Sequence, residues 1–165
     1  MNAAAIAYVG LGGNVGDAPG TLRAALAALD ALPGARLLRA SRLYRTPAWG
    51  RQDQPDFINA AAALETALSA QDLLNVLLGV ERAFGRDRDA ETARWGPRIL
   101  DLDLLLHGDA VIDEHGLTVP HPHLHVRAFV LVPLLEIAPD LRIPGHGSVR
   151  EALSAMATDG IEALP

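Results

Sequence analysis

Two aspartates, Asp101 and Asp103, stand two residues apart inside an apolar run, Ile99-Leu100-Asp101-Leu102-Asp103-Leu104-Leu105-Leu106. The run is short and bounded by Gly96-Pro97 and His107-Gly108-Asp109, which predicts a buried strand. In a strand, residues i and i+2 share a face. Asp101 and Asp103 therefore point one way, and Leu100, Leu102 and Leu104 the other. Neighbouring carboxylates repel, and burying them is unfavourable unless a cation compensates. A hard divalent ion with oxygen ligands, such as Mg2+, does this while keeping several waters and engaging phosphates. A solvated strand end would present the same two residues, so the pair points to a metal or acid site without establishing one.

Composition narrows the chemistry. All 14 basic residues are arginine. Without lysine, a Walker-type phosphate loop, a kinase strand lysine and Schiff-base chemistry are excluded. Without cysteine, so are disulfides, thiolate metal sites and thiol nucleophiles. Any phosphate must be held by metal and by arginine, whose planar fork binds oxygens in pairs. The net charge of −6 argues against a nucleic-acid surface. No apolar run approaches the ~20 residues of a membrane span, and no basic-then-apolar leader opens the chain. The expectation is a cytoplasmic protein with no membrane association and one domain, residues 1–165, large enough for a real core.

The elements that position the aspartates follow from periodicity and punctuation. Ala3 to Leu11 reads as a first strand entering a glycine-rich turn, Gly10 to Asp17. Val15 stands where a dinucleotide fingerprint needs its third glycine, so a structural turn is the simpler reading. Asp17 and Pro19 suit a helix start, and Leu22, Leu26, Leu29 and Leu32 mark one helical face. Arg36 to Arg45 reads as a second strand. A long loop, Thr46 to Pro55, follows it, and long loops are often functional. Phe57 to Thr66 is alanine-rich, but Pro55 precedes it and a new helix start follows at Ser69, so a third strand is expected.

Ser69 with Asp72 forms a capping pattern ahead of Leu73, Leu74, Leu77, Leu78, Val80 and Phe84, with Gly85 as the stop. Glu81 falls on the apolar side of that helix, either emerging at the end of the stripe or belonging to a site. A second long loop, 85–97, carries Arg86, Asp87, Arg88, Asp89, Glu91 and Arg94 directly into the aspartates. Ala110 to Ile112 reads as an edge strand. His121, His123 and His125 alternate, but the proline-broken segment gives no fixed geometry for zinc. Ala128 to Ala138 reads as a helix interrupted or restarted at Pro133. Leu141 to Ile143 is a short strand, and Ser148 caps a last helix with Leu153 and Met156. The order is βαββαβ: an α+β, ferredoxin-like antiparallel sheet of four main strands, helices on one face, and a C-terminal helical and short-strand appendage.

The stretch Arg94-Trp95-Gly96-Pro97-Arg98-Ile99-Leu100-Asp101-Leu102-Asp103 resembles, without a gap, the signature of the 6-hydroxymethyl-7,8-dihydropterin pyrophosphokinase family of folate biosynthesis. Supporting stretches are Leu11 to Asp17, Tyr44 to Pro47, Asp53 to Asn59, Leu117 to Pro122 and Arg127 to Phe129, in the family's order. The resemblance spans roughly residues 5–158. It implies transfer of the β,γ-diphosphate of ATP, the co-substrate, to the pterin hydroxymethyl oxygen, with two Mg2+ ions on Asp101 and Asp103.

For the pterin it implies Thr46, Pro47, Trp49, Phe57, Asn59, Trp95 and Phe129. For ATP it implies Glu81, Arg86, Arg88, Arg98, Leu104, Thr118, His121 and Arg127, with Arg86, Arg88 and Arg98 in catalytic roles. A monomer whose partners are ATP and the pterin is expected, with both long loops, 46–55 and 85–97, closing over them. A pterin- or nucleotide-binding module without turnover, and a metal-dependent phosphohydrolase using His121 or His123, are the alternatives. Asp101→Ala and Asp103→Ala should each abolish turnover in a protein that stays folded. Circular dichroism beside a rate assay checks this, and a near-normal rate would sink the two-metal assignment.

Overall fold

Strand β1, Ala5–Gly13, buries Ala7, Val9 and Leu11 on one face, the period-2 pattern of a packed strand. The computed structural model of the chain describes residues 4–48, 53–86 and 97–165. Helix α1, Ala18–Asp30, starts where Asp17 accepts the Gly20 N–H at 3.1 Å, and it buries Leu22, Ala25 and Leu29. Strand β4, Phe57–Thr66, is extended despite its alanines, because it is hydrogen-bonded to strands along both of its edges. Helix α2, Ala70–Ala83, is capped by Ser69, whose hydroxyl accepts the Asp72 N–H. Strand β5, Asp101–His107, follows the second long loop.

The expected second strand is two. Ala35–Ala40 forms β2 and Tyr44–Thr46 forms β3, both pairing with the same edge of β4. Between them Ser41 takes over the ladder. Its N–H donates to Ala61 O, and its hydroxyl accepts the Ala61 N–H and donates to Arg42 O. The register slips by one residue across this break, as at a bulge, which re-aims β3.

The sheet runs β10-β3-β4-β1-β5, where β10 is Glu162–Ala163, with β2 beside β4; all pairs are antiparallel. This is the ferredoxin-like arrangement. Val9, Leu11, Ala62, Leu64, Leu102 and Leu104 face one way and pack with α1 and α2. That layer matches the expectation. The C-terminal region covers the other face as well: Ala61, Ala63, Leu105 and Leu106 pack under Leu131 and Leu134 of α3, Ala128–Ile137, and Val149 of α4, Val149–Ser154. Helices therefore lie on both faces. Because a bulge shifts the β1–β5 register at Tyr8/Val9, Leu105 and Leu106 both reach the α3 side.

Two further expectations are corrected. Helix α3 is continuous through Pro133, because a helix apolar on all sides gains enough burial to tolerate the missing hydrogen bond. Strand β6, Ile112–Glu114, is no edge of the main sheet; it pairs with β7, Leu117–Val119, as a separate hairpin, and β8, Arg142–Ile143, pairs likewise with β9, Gly147–Ser148.

The C-terminal end of α3 is fastened to the sheet edge. Tyr44 donates a hydrogen bond to Glu136, the Arg42 backbone N–H and Nε donate to the same carboxylate at 3.0 and 3.1 Å, and Arg39 donates to Ile137 O. Partial burial works against ionisation of Glu136, but these donors hold its pKa below the usual value. No helix among the described residues is long and apolar enough to cross a membrane. If the α3 layer is core, Leu131→Ala, at a fully buried position, should cost ~2–5 kcal/mol. Urea denaturation measures this, and a loss below about 1 kcal/mol would mark that layer as a loose appendage.

Candidate active site

The face beneath α3 is core at one end and open at the other. Beside the start of α3, the same face turns toward a cavity of about 260 Å³. Its floor is Gly10 and Gly12 of β1, with Asn59 and Phe57 of β4 beside them. A Cβ on Gly12 would stand 2.9 Å from Asn59 Oδ1, so only glycine leaves that amide its place. Buried Asn59 donates from Nδ2 to Thr46 Oγ1 at 2.6 Å, which ties β4 to the end of β3. Thr46 and Pro47 form one wall, and Phe129 and Arg127, at the start of α3, form another. The Arg127 guanidinium lies 5.7 Å from the centre of the Phe129 ring.

Asp101 and Asp103 enter the cavity from β5, as their spacing requires, while Leu102 and Leu104 turn into the α1–α2 core. Behind them lies a buried charge cluster. Arg86 Nη1 donates to Asp101 Oδ1 at 2.6 Å, to Glu81 Oε2 at 3.3 Å and to Leu100 O at 3.2 Å. Glu81 Oε2 also accepts the Leu102 N–H at 2.7 Å. The Arg86 and Glu81 side chains are 4% and 1% exposed, against 34% for Asp101. Arg86, predicted to act from a loop, is thus a buried clamp that also reaches the cavity wall. Glu81 is the base beneath it, which accounts for an acid on the apolar side of α2.

Asn14 was legible only as part of a glycine-rich turn, yet it joins two loops. Its Oδ1 accepts the Arg98 N–H at 2.9 Å, its own N–H donates to Arg98 O, and its Nδ2 donates to Gln54 Oε1 and Pro55 O. Arg98, so placed, lines the cavity. The available signal was a buriable amide at the end of a strand, where side-chain-to-backbone bonds substitute for a ladder.

His121 lines the cavity opposite, held there because its N–H donates to Leu105 O on the outer edge of β5. Burial holds its pKa down to about 4; Arg127 and His123 add to the effect and Asp101 opposes it. Its Nδ1 accepts the His123 N–H at 3.2 Å, so the neutral ring carries its proton on Nε2. The three alternating histidines do not converge. His121 and His123 are tilted with ring centres 6.0 Å apart, and His125 stacks on His146. Among the described residues no group of three metal-ligating side chains forms, so the zinc reading has no support.

The structure thus brings Asp101, Asp103, Arg86, Arg98, Thr46, Pro47, Phe57, Asn59, His121, Arg127 and Phe129 to one cavity. Three expected nucleotide residues do not line it. Leu104 is buried on the opposite face of β5, Glu81 lies beneath Arg86, and Thr118 is exposed on the β6–β7 hairpin. Trp49, Arg88 and Trp95 lie outside the described residues, as do residues 49–52 of one predicted lid and 87–96 of the other.

A ferredoxin-like sheet that places two strand carboxylates among arginines, a histidine and an aromatic wall has the donor set of divalent-cation enzymes that act on phosphorylated substrates. The profile of the family described as 7,8-dihydro-6-hydroxymethylpterin-pyrophosphokinase matches residues 8–139. The chain is 49% identical over 156 residues to the 2-amino-4-hydroxy-6-hydroxymethyldihydropteridine pyrophosphokinase of Methylorubrum extorquens, covering 94% of this chain and 96% of that one. It is 48% identical over 158 residues to the Pseudomonas aeruginosa protein of the same name, covering 96% of each. In fold it is similar to a Plasmodium falciparum HPPK-DHPS crystal structure, with a TM-score of 0.76 and 16% identity, covering 94% of this chain and 44% of that one. The chain belongs to the 7,8-dihydro-6-hydroxymethylpterin-pyrophosphokinase family, and it is an enzyme of the transferase class.

The histidine supplies a pH test. A folded-state pKa near 4 lies below the ordinary 6.5, so the unfolded chain takes up the proton first as pH falls. The associated stability is full above about pH 6.5 and drains away toward pH 4. The His121 ring should titrate near 4 by NMR. The urea midpoint should also fall more between pH 7 and 5 in the wild type than in His121→Asn; a midpoint near 6.5 would refute the burial argument.

Proposed function

We propose that this cavity is where the family reaction runs: Mg2+-dependent transfer of the β,γ-diphosphate of ATP to 6-hydroxymethyl-7,8-dihydropterin, in folate biosynthesis. The hydroxymethyl oxygen attacks the β-phosphorus and releases its proton to water, the bond from that phosphorus to the α–β bridging oxygen breaks, and AMP leaves with that oxygen. The observation that carries the reading is that an amide- and aromatic-lined pocket and a carboxylate–arginine pocket share one open space.

Asn59 has the paired donor and acceptor that a pterin edge requires, and its bond to Thr46 fixes which way the amide faces. Phe57 and Phe129 suit the two faces of a flat ring; aromatic contacts of that kind contribute ~0.5–1.5 kcal/mol beyond area burial. Asp101 and Asp103 offer hard oxygen donors on one strand face, and other ligands would come from phosphate and water, which is how Mg2+ is usually held. Two such ions, when bound, would neutralise phosphate charge and align the transferred group.

Arg98, Arg127 and the clamp Arg86 add fixed positive charge without a proton equilibrium near neutral pH. His121 is neutral there and offers one N–H donor. No protein nucleophile is required, because positioning and charge stabilisation supply most of the catalysis in phosphoryl transfer. This agrees with a chain lacking lysine and cysteine. The reading takes the protein as a monomer, since one chain supplies both pockets, and keeps the expected cytoplasmic location. AMP should form from ATP and Mg2+ only when the pterin is added. ADP or free phosphate without pterin would replace the transferase by a hydrolase, and no product from folded protein would leave a binding module.

A further inference from the structure

Strand β3 is only three residues long, yet it ends on Thr46 and Pro47, the wall of the aromatic pocket. Its inner side pairs with β4, Tyr44 with Asn59 and Thr46 with Phe57. Alone, so short a strand would form an open, fraying sheet edge. The outer side is covered by the C-terminal segment. Glu162 pairs with Arg45 and Ala163 with Tyr44, and the Leu164 N–H donates to Leu43 O at 2.8 Å. Just before this strand, the Ile161 N–H closes a turn onto Thr158 O, and Gly160 sits at φ +83° against Pro47. A Cβ on Gly160 would stand 2.9 Å from Pro47 Cγ and 3.5 Å from its Cδ. The turn thus backs the proline ring with no room for a side chain, in a conformation that also disfavours one.

We propose that the segment Thr158–Leu164 is a positioning element for the pterin: it clamps β3 from outside and sets Pro47, and through Thr46 the Asn59 amide, without touching the substrate. The inference rests on the reading of that pocket as the pterin site. It predicts a split between ligands, because Asp101, Asp103, Arg98 and His121 are held by β5, Asn14 and the Leu105 carbonyl, and among the described residues none of these pairs or hydrogen-bonds with the segment.

The test compares wild type, Gly160→Ala and a chain ending at Ala157. Each is titrated with α,β-methylene-ATP and Mg2+, and then, with that nucleotide saturating, with the pterin. Pterin affinity should fall about fivefold or more in the variants, with nucleotide affinity within twofold. Coupling is reciprocal, so pterin bound to the wild type should slow hydrogen exchange at the Leu164 amide. Unchanged pterin affinity in a folded variant, a parallel loss of both ligands, or wild-type exchange at Leu164 indifferent to pterin would each overturn the proposal. The exchange measurement decides even if neither variant folds. A wild type that takes nucleotide but no pterin would instead refute the pocket reading, and the inference with it.

Discussion

One guanidinium holds the acidic side of this protein together. Arg86 is almost wholly buried between Glu81 of α2 and Asp101 of β5, and it reaches the Leu100 carbonyl as well. A buried arginine is tolerable only when paired and hydrogen-bonded, and the same holds for the glutamate beneath it. Glu81 in turn accepts the Leu102 N–H, so the helix is fixed to the strand between the two aspartates. Asp101 is thereby fixed on one side by protein while Asp103, two residues on, opens to the same cavity.

The second constraint is that a single sheet face serves as core and as site. Over Ala61, Ala63, Leu105 and Leu106 it is sealed by α3, and over Gly10, Gly12, Asn59 and Asp103 it is open. Helix α3 marks the border. Its far end is pinned through Glu136 to Tyr44 and Arg42, and its near end presents Phe129 and Arg127 to the cavity. The geometry of the cavity thus depends on apolar packing a few residues away, and core and cavity cannot be varied independently.

Much of this was legible in the sequence for definite reasons. The side-chain period of a strand is two, so Asp101 and Asp103 had to share a face and Leu102 had to oppose them. Asp17, Ser69 and Ser148 announced helix starts because each has a short side chain that caps backbone N–H groups, and each does so. What was not legible depended on distant partners. Ser41 splits a strand only because Ala61 lies opposite, and Glu81 is buried only because Arg86 folds back over it.

Residue types and local spacing alone determined the chemistry on offer: paired carboxylates, arginine as the only strong cation, no thiol and no amine. They also determined the βαββαβ order, apart from the break that splits its second strand, since periodicity and caps act within a few residues of chain. Only the tertiary structure decided which faces meet. Covering the second face with α3 and α4, gathering Thr46, Asn59, Phe129, His121 and Asp103 from separate elements, and backing Pro47 with Gly160 all depend on contacts far apart in sequence. Those contacts form because antiparallel pairing and burial of apolar faces are satisfied together, which no local pattern encodes.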